Sequence, residues 1–524
     1  MKKIPTKNFV KKLKKVKPEF WLVLILIFAL SIRLYFFVGI GFNDDSYYLE
    51  FASHMYKDEK FVPPSSVSWG TRIGVYYPVV LFWKLFGINE LSTSMYFILS
   101  SLGSIVVIYF MGKELFDPSA GLIAAFLLSI FPMNIVYASQ VGPDIPFQFF
   151  SATTILLLIK SEKYQRYIYP FLSGLFLGLA YLVKSTAVLL LPIFLFLILI
   201  FFLSSGSKFR KHFTKRRIFT YFLIFLGFSL VFSVYVLHLY TLSGQWFYGE
   251  KVRSYSFTHD KNSNSDFMWY PNVMFNHQES YFKWIHDVPM FGFFYYFVVL
   301  ASAYLLYERD LNSIFLFLWF IFLFSFFEYG LQFYCTKIMS YCLYSRHPRF
   351  LTIFTIPSVL LISRFLTYNN ERWRKYLLVT SILFLVFTSL YYTYQSHTFL
   401  RNGMGTLRES AYFLEKMPLK TIYIPDGWDI SKLKFYFRYN ETYIQNLKIY
   451  ECGFINCSDP YYNNGSFIHD SYVITWLDPY TWINRHQYPD FMKNPPENWK
   501  LLKEINLKNY GIFAKYKTRV YYVK

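Results

Sequence analysis

Long apolar runs, spread over the first 395 residues, constrain the fold of this chain more than any other feature. A helix needs roughly 20 apolar residues to cross a bilayer core of about 30 Å, and about eleven runs are candidates. They lie near Glu19 to Gly39, Leu91 to Met111, Ser119 to Ser139, Pro146 to Ile159, Ile168 to Val183, Thr186 to Leu203, Ile218 to Tyr240, Val288 to Leu306, Asn312 to Gly330, Phe350 to Leu366 and Tyr376 to Gln395. The fourth and fifth runs are short, which leaves three alternatives open: tilted helices, helices extended at their ends, or partly re-entrant segments. The sequence therefore predicts an α-helical polytopic membrane protein with about 11 transmembrane helices.

The charge pattern agrees with a membrane protein. Charged residues make up only 16% of the chain, against about a quarter in soluble domains. The net charge is +21, from 53 Lys and Arg against 32 Asp and Glu. These cations are concentrated in short segments between the apolar runs, which is the distribution that orients a membrane protein and not that of a nucleic-acid-binding surface. With eleven spans the basic segments 1–18, 204–217 and 367–375 share one side, so we expect a multi-pass plasma-membrane protein with a cytoplasmic amino terminus.

The last part of the chain, 396–524, is less apolar and has a different pattern. Short β-rich runs, such as Ser471 to Trp476 (SYVITW), alternate there with turn clusters. An odd number of spans places this tail outside the cell, together with the two long loops 40–90 and 241–287. The sequence thus predicts two domains: a transmembrane domain over 1–395 and a small extracytoplasmic α+β domain over the tail.

The cysteines form two close pairs, and the absence of several short motifs excludes some classes of function. Two close pairs, Cys335/Cys342 and Cys452/Cys457, could form disulfides if they face an oxidising side of the membrane. The sequence contains no HExxH metal motif, no Walker A sequence and no GxGxxG turn. An ATP-driven pump is therefore not expected, and the energy for any chemistry must arrive in an activated substrate.

Three aspartates stand where apolar runs end. Asp44 and Asp45 follow the first run, and Asp144 is the only charge in a turn stiffened by Pro143 and Pro146. Capping of a helix explains the first pair, and a plain turn explains the third. A carboxylate at the membrane surface is nonetheless costly unless water, a cation or a substrate offsets it, and at that place it can serve as general base for an acceptor hydroxyl.

Four basic residues are expected on the same outer side: Arg72, Lys184, Arg346 and Arg349. Snorkelling to the headgroups explains Lys184 without any function. The positive-inside trend disfavours arginine and lysine on the outer side, however, so the clustering of these residues there indicates a bound anion. Arginine forks match phosphate oxygens bidentately, and lysine acts as a point charge.

Two segments of the first loop carry a family pattern. Asp44-Asp45-Ser46-Tyr47-Tyr48 is similar to the acidic pair, usually Asp-Glu followed two residues later by an aromatic, that opens the first outer loop of the C-superfamily integral-membrane glycosyltransferases. Arg72-Ile73-Gly74-Val75-Tyr76-Tyr77 resembles the Lys-Pro-Pro-Leu-Tyr-Tyr stretch of the aminoarabinose transferases in that superfamily. Some members have a metal-binding Glu before this Lys, whereas this chain has Thr71.

Further segments match in the same order along the chain. They resemble a Pro-Asp-x-Pro turn, a Gly-Leu-Ala-x-Leu-x-Lys span end, an Arg-Tyr-x-x-Pro segment and the helix that opens the outer domain. In this chain they are Gly142 to Pro146, Gly178 to Lys184, Pro348 to Phe350 with Pro357, and Leu407 to Leu414. The sequence thus resembles the protein O-mannosyltransferase and aminoarabinose transferase-like group over roughly residues 19–414.

The resemblance implies a membrane glycosyltransferase embedded among membrane lipids. Its donor would be a polyprenyl-phosphate sugar, and its acceptor a hydroxyl on a glycan, lipid or protein at the outer face. Asp44 would be the general base of an inverting displacement, with Asp45 beside it. Substrate binding would fall to Arg72, Asp144, Lys184, Arg349, Tyr47 and Tyr76. No nucleotide pocket is expected, and Thr71 leaves open whether a divalent cation takes part.

Two other classes of function remain open on the sequence. A transporter or lipid flippase also has many spans, but it would place ionisable residues near the membrane midplane and not at one boundary. A catalytically inactive scaffold subunit could retain all of the motifs. Measurement of sugar transfer distinguishes both from an enzyme.

Overall fold

The computed structural model describes residues 17–41, 44–64, 68–204, 213–252, 274, 292–329, 348–368, 372–403, 405–424, 427–450, 459–477, 489–492, 494–507 and 517–524. Two parts can be distinguished in these residues. Long helices fill the chain up to Gly403, and a sheet with short helices follows.

The first part is a bundle of helices. In chain order these are α1 (Pro18–Tyr35), α2 (Asp44–Tyr56), α3 (Ile73–Phe86), α4 (Glu90–Leu115), α5 (Pro118–Ile130), α6 (Pro132–Tyr137), α7 (Asp144–Tyr164), α8 (Ile168–Val183), α9 (Leu190–Ser204), α10 (Phe213–Ser243), α11 (Phe294–Tyr307), α12 (Leu311–Tyr329), α13 (Thr355–Thr367) and α14 (Arg372–Gly403). Short 3-10 helices at Ser68–Thr71, Ser185–Leu189 and Pro348–Phe354 precede α3, α9 and α13.

The predicted polytopic membrane fold is confirmed, although not every predicted span is one long helix. Six helical segments in the described part of the chain are long and apolar enough to cross a bilayer, and five more apolar helices are shorter. The third predicted span is divided because Pro132 starts a new helix and leaves Phe131 with extended backbone angles. The short fourth run is extended at both ends into the 21-residue helix α7.

Close helix packing in the bundle depends on glycine. A Cβ atom added at Gly174 of α8 would lie 2.0 Å from the carbonyl oxygen of Ile224, and one at Gly227 of α10 would lie 2.3 Å from that of Phe171. Neither site can hold a side chain without separating the two helices. Small residues permit such approach where the surrounding lipid gives no hydrophobic drive for helices to associate.

A polar network crosses the interior of the bundle from α1. The fully buried Arg33 donates from Nε to Ser101 Oγ at 2.8 Å and from Nη2 to Asn134 Oδ1 at 2.7 Å. Asn134 donates in turn to Gln148 Oε1 at 2.7 Å, and Gln148 donates to the Thr352 carbonyl at 3.1 Å. A buried cation is costly without such partners, and the same network connects the 3-10 helix Pro348–Phe354 with α1, α4, α6 and α7.

The carboxy-terminal part is built on a five-stranded mixed sheet. It comprises α15 (Gly405–Leu414), β1 (Thr421–Ile424), α16 (Gly427–Tyr436), α17 (Glu441–Ile444), β2 (Leu447–Ile449), α18 (Pro460–Asn463), β3 (Ser471–Leu477), a 3-10 helix (Asp490–Met492), β4 (Lys500–Ile505) and β5 (Lys517–Val523). The strand order is β2-β1-β3-β5-β4, with β1 parallel to both neighbours and β5 antiparallel to its own. This confirms the predicted small α+β domain. Helix α14 continues past the proposed boundary at residue 395 and ends at Gly403.

Helix α16 of this domain lies on α2 of the bundle. Ser431 Oγ donates to Glu50 Oε2 at 3.2 Å, and Lys434 Nζ lies 3.4 Å from Glu50 Oε1. The ring of Trp83 is 6.2 Å from that of Phe435, so an aromatic contact joins α3 to α16 as well. The sheet domain is thus held against the helix that begins with the two aspartates.

A partly buried ion pair lies where the same domain meets α4. Arg401 on α14 makes a bidentate pair with Glu90, with Nη1 and Nη2 at 2.7 and 2.9 Å from the two carboxylate oxygens. Arg401 also donates to the Val38 carbonyl at 2.8 Å, and Tyr436 donates to Glu90 at 3.3 Å. These contacts connect α14, α16 and the segment that leads from α1 to Asp44.

Candidate active site

The acid pair opens helix α2. Asp44 and Asp45 occupy its first turn, where unsatisfied N–H groups and the helix dipole favour carboxylates. Both are only 5% exposed. Asp45 Oδ2 accepts a hydrogen bond from the Gly41 N–H at 2.8 Å, and Asp44 forms an ion pair with Arg349. The helix start predicted here is confirmed, and it places one carboxylate of the pair against a guanidinium group.

The ion pair is one link in a chain of alternating charges. Arg349 Nε lies 3.6 Å from Asp144 Oδ2, and Asp144 Oδ1 accepts a hydrogen bond from Lys184 Nζ at 2.9 Å. The Lys184 ammonium is 3.9 Å from the centre of the Phe350 ring, which adds a cation–π contact. The array thus joins the starts of α2 and α7, the end of α8 and the 3-10 helix before α13.

This array is nearly enclosed by protein. Lys184 is 3% exposed and Asp144 is 4% exposed. Taking such ions out of water costs several kcal/mol each, and their mutual attraction often does no more than offset it. A buried ionic cluster is therefore weak support for stability, but it is a strong indication of a functional site.

Arg72 stands beside the array, at the start of α3. Its Nη1 donates to the Tyr48 hydroxyl at 2.8 Å, and its charge acts on Lys184. Burial raises the pKa of Tyr48 to about 12, so that its hydroxyl stays protonated. Arg72, Lys184 and Arg349 are thus three cations that lie among the aspartates of the site.

The two other predicted binding residues are placed differently. Tyr76 is fully buried, its hydroxyl donates to the Gly70 carbonyl at 2.9 Å, and its ring packs on Phe51. The Tyr47 ring lies 5.1 Å from that of Trp69, within electrostatic range of Asp44. The structure thus brings Tyr47 to the edge of the acid pair, while the Tyr76 hydroxyl is engaged with backbone.

Three contributors to the site are absent from the residues selected on sequence. Tyr48 stands within the quoted acidic motif, so the motif itself was a signal for it. Phe350 covers the Lys184 ammonium, and it stands in the quoted Pro348 to Phe350 segment. Tyr137 lies within electrostatic range of Asp45, Asp144 and Arg349, but nothing in the apolar run around it marks it.

The pKa of Asp45 predicts a dependence of stability on pH. Burial, helped by repulsion from Asp44, raises this pKa to about 7 despite the opposing effects of the Gly41 N–H, Arg349 and Lys432. The folded protein therefore binds this proton more tightly than the unfolded chain does. Its contribution to stability is present below about pH 4 and is lost as the pH rises through about 7. We expect the thermal unfolding temperature to fall over that range, and to fall less in Asp45→Asn.

The measurement is thermal unfolding of the two proteins in lipid nanodiscs between about pH 4 and about pH 8. Asp58→Asn is a matched control, because the Asp58 side chain near the end of the same helix is 83% exposed. Parallel curves for wild type and Asp45→Asn would contradict the prediction.

A divalent cation has no evident place among the described residues. No group of three or more His, Cys, Asp or Glu side chains is close enough there to hold a metal ion. Thr71 is fully buried beside Arg72. The oxygens of Asp44 and Asp144 already contact Arg349 and Lys184, so the residues present do not fit a metal in this arrangement, and no chemical step is assigned to one.

An apolar cavity of about 310 Å³ lies beside α8. It is lined by Leu177, Val188, Leu191, Phe194, Tyr221, Ile224, Phe225 and Phe228. Leu177 stands seven residues before Lys184, a distance of about 10 Å along the helix axis. Leu177, at the wall of this cavity, thus lies about two helical turns from Lys184.

Some sequence predictions fall on residues outside those described. They are Arg346, the pairs Cys335/Cys342 and Cys452/Cys457, and most of the loop 241–287.

Comparisons with known proteins agree with this fold. Residues 73–238 match the family described as dolichyl-phosphate-mannose-protein mannosyltransferase. ArnT from Cupriavidus metallidurans bound to undecaprenyl phosphate has a TM-score of 0.56 at 14% identity, covering 95% of this chain and 98% of that one. The apo oligosaccharyltransferase of Archaeoglobus fulgidus has a TM-score of 0.53 at 14% identity, covering 83% of this chain but only 64% of that one.

A relative from Aquifex aeolicus, described as an uncharacterized protein, is 24% identical over 186 residues. That stretch is 33% of this chain and 37% of the relative, so this chain spans little more than a third of that protein's length.

The fold is thus shared with ArnT and with the archaeal oligosaccharyltransferase, and this likeness confirms the resemblance to integral-membrane glycosyltransferases found in the sequence. The match of residues 73–238 to the dolichyl-phosphate-mannose-protein mannosyltransferase family agrees with that resemblance.

Proposed function

We propose that this protein is an inverting glycosyltransferase that moves a sugar from a polyprenyl-phosphate donor to an acceptor hydroxyl at the outer face of the membrane. The observation that carries the proposal is the buried array Asp44–Arg349–Asp144–Lys184, with Arg72 beside it. It places a candidate base next to cations suited to a phosphate. ArnT, of similar fold, was solved with undecaprenyl phosphate.

These residues suit the charges that develop while the sugar is transferred. The acceptor oxygen bonds to the anomeric carbon while the bond from that carbon to the donor phosphate oxygen breaks, and the acceptor proton passes to Asp44. A single displacement of this kind inverts the anomeric centre. Negative charge grows on the departing phosphate, where Arg72, Lys184 and Arg349 would stabilise it.

Arg349 has a double role in this proposal. In the structure its guanidinium contacts Asp44 and lies 3.6 Å from Asp144. A donor phosphate within reach competes with the two carboxylates for the same N–H groups, because phosphate is an equally good bidentate partner. Donor binding would thus draw Arg349 from Asp44 and leave that carboxylate able to accept a proton.

The lipid part of the donor has a matching surface. The apolar cavity between α8, α9 and α10 starts about 10 Å from Lys184 along α8. A polyprenyl chain running from a phosphate at Lys184 would enter apolar surroundings within two isoprene units or so. Its burial there would hold the donor without any contribution from the sugar.

The proposed membrane orientation follows from the basic segments. In the sequence, the basic segments 204–217 and 367–375 follow the apolar runs Thr186 to Leu203 and Phe350 to Leu366, and these runs begin just after Lys184 and Arg349. The positive-inside trend then assigns the array and the sheet domain to the outer side. An acceptor would approach from there, between the sheet domain and the acid pair.

The test is the release of polyprenyl phosphate by purified protein in nanodiscs, with a panel of polyprenyl-phosphate hexoses and pentoses. We expect turnover with at least one donor, faster when a glycan, glycolipid or peptide acceptor is added. Matched nanodiscs with Arg349→Met serve as control, because this variant loses a group proposed to bind the phosphate. Absence of release with every donor, from protein that still unfolds cooperatively, would contradict the proposal and favour transport or scaffolding.

A further inference from the structure

A chain of buried side chains runs from Arg33 on α1 to the 3-10 helix that carries Arg349. Arg33 donates from Nη2 to Asn134 Oδ1 at 2.7 Å, and Asn134 Nδ2 donates to Gln148 Oε1 at 2.7 Å. Gln148 Nε2 then donates to the Thr352 carbonyl at 3.1 Å. Because Arg33, Asn134 and Gln148 are fully buried, water does not compete for these hydrogen bonds.

Arg33 fixes the direction of this chain. A guanidinium group only donates hydrogen bonds, so the atom of Asn134 that faces it must be the amide oxygen. The Asn134 nitrogen is then left to donate, and Gln148 must accept through its own oxygen. The Gln148 nitrogen consequently points to the end of the 3-10 helix, where it donates to the Thr352 carbonyl and to Thr355 Oγ1.

Asp144 and Gln148 hold the 3-10 helix at two points. Asp144 Oδ2 lies 3.6 Å from Arg349 Nε, and Gln148 Nε2 lies 3.1 Å from the Thr352 carbonyl. From Asp144 to Gln148 the α-helix rises about 6 Å, and from Arg349 to Thr352 the 3-10 helix also rises about 6 Å. The two contacts therefore fix the register of the 3-10 helix along α7, and a slip by one residue would turn Arg349 by about 120° from Asp144.

This register matters most when a phosphate is bound. The Arg349 guanidinium contacts Asp44 and lies near Asp144 in the structure, and a donor phosphate would draw it from Asp44. The position of the guanidinium then depends more heavily on the backbone of its own 3-10 helix. Gln148 holds that backbone at Thr352, and Thr352 Oγ1 donates to the Arg349 carbonyl at 2.9 Å.

We propose that Gln148 is a positioning residue of the active site, which holds the 3-10 helix in the register that directs Arg349 to the donor phosphate. The inference rests on the proposed function, since it needs a phosphate in the site. Gln148 acts through the backbone at Thr352, and Arg33 supports it by orienting its amide through Asn134. A polar network inside the bundle thus contributes to phosphate binding.

The experiment is equilibrium binding of undecaprenyl phosphate to the full-length protein in nanodiscs. Gln148→Met has a side chain of similar length without the amide, and we expect it to weaken binding about tenfold, the scale of one lost hydrogen bond to a charged group. In an Arg349→Met background the same substitution should have no further effect. In an Arg72→Met background it should again weaken binding about tenfold, because Arg72 lies at the start of α3 and outside this chain of contacts.

A second variant tests the same contact from its other side. Thr355→Val has nearly the same shape as wild type but lacks the hydroxyl that accepts a hydrogen bond from Gln148. We expect a loss of affinity in the same direction, and this loss should also vanish in the Arg349→Met background. The variant decides the question if Gln148→Met does not fold.

Thr154→Val is the matched control. Thr154 is a fully buried residue of α7, and its Oγ1 donates to the Phe150 carbonyl of the same helix at 2.9 Å. Its substitution removes a hydrogen bond within α7, so stability should fall while the affinity for undecaprenyl phosphate stays. With an active donor, Gln148→Met should raise the donor KM and leave the acceptor KM unchanged. A protein that is merely less stable would keep both KM values.

Two outcomes would overturn the inference while the proposed function stands. One is a loss of affinity in Gln148→Met that persists in full in the Arg349→Met background, because the amide would then not act through Arg349. The other is unchanged affinity in both Gln148→Met and Thr355→Val. If wild type binds no undecaprenyl phosphate and transfers no sugar, the proposed function fails and the inference fails with it. If binding shows the expected dependence on Arg349 but no sugar is transferred, only the enzymatic function fails.

Discussion

Replacement of Asp44 by asparagine is expected to slow the release of polyprenyl phosphate by about a hundredfold or more, the usual scale for loss of a general base. The amide has nearly the same shape as the carboxylate but cannot accept the acceptor proton. Binding of undecaprenyl phosphate should persist or become tighter, because Arg349 no longer has Asp44 as a competing partner. The measurement compares turnover with equilibrium binding of the lipid phosphate to the same preparation.

The prediction is specific because turnover and binding of the lipid phosphate should respond differently to the substitution. A residue that merely supports the fold would lower binding and turnover together. Asp58→Asn is the control, because that carboxylate follows the same helix but its side chain is 83% exposed. Turnover of Asp44→Asn within a few-fold of wild type would reject Asp44 as the base, and Asp45 would then be the next carboxylate to replace.

The location of the site was predictable from the sequence because its residues stand at the ends of apolar runs. Asp44, Asp144, Lys184 and Arg349 each interrupt or border such a run, and a bundle brings run ends on one side together. Which of them touch could not be predicted. Asp44 and Arg349 are 305 positions apart, and their contact depends on how α13 and its 3-10 helix pack against α2.

The fold departs from the apolar pattern where backbone chemistry intervenes. The run Ser119 to Ser139 satisfies the length of a span, yet Pro132 lacks an N–H and disfavours helix at the residue before it. Two helices result, and the second brings Tyr137 to the acid pair. The proline was visible in the sequence. Its consequence for the site depends on the direction in which α6 leaves α5, which hydropathy does not determine.

Lys432 illustrates what sequence patterns cannot provide. It stands in an ordinary lysine-containing helix of an α+β domain, where an exposed position is the usual expectation. Its burial arises because α16 lies on α2, and that docking depends on Glu50, Trp83 and the Glu90–Arg401 pair. No local motif in the tail encodes contacts with residues more than 300 positions earlier.

The second large effect is expected from the buried pair of Asp144 and Lys184. Asp144→Asn leaves the Lys184 ammonium against Phe147 and Phe350 without its carboxylate partner. Breaking such a pair by removing one partner costs about 3–5 kcal/mol. Lys184→Met should cost less, since Asp144 retains Arg349 at 3.6 Å. The free energies of unfolding of both variants, measured in the same nanodiscs, test this order.

The double variant Asp144→Asn/Lys184→Met tests whether the pair serves stability or the reaction. It leaves no unpaired charge from the pair, so its stability should be closer to that of wild type than the sum of the single effects, with a coupling energy of about 2–3 kcal/mol. The exposed pair Lys84–Asp58, with 52% and 83% exposed side chains, should show a coupling below about 1 kcal/mol in the same assay. If the free-energy changes of the two single variants simply add in the double variant, a direct interaction between Asp144 and Lys184 is contradicted. A double variant that folds well yet releases no polyprenyl phosphate would show that the two charges serve the reaction, since stability alone does not require them.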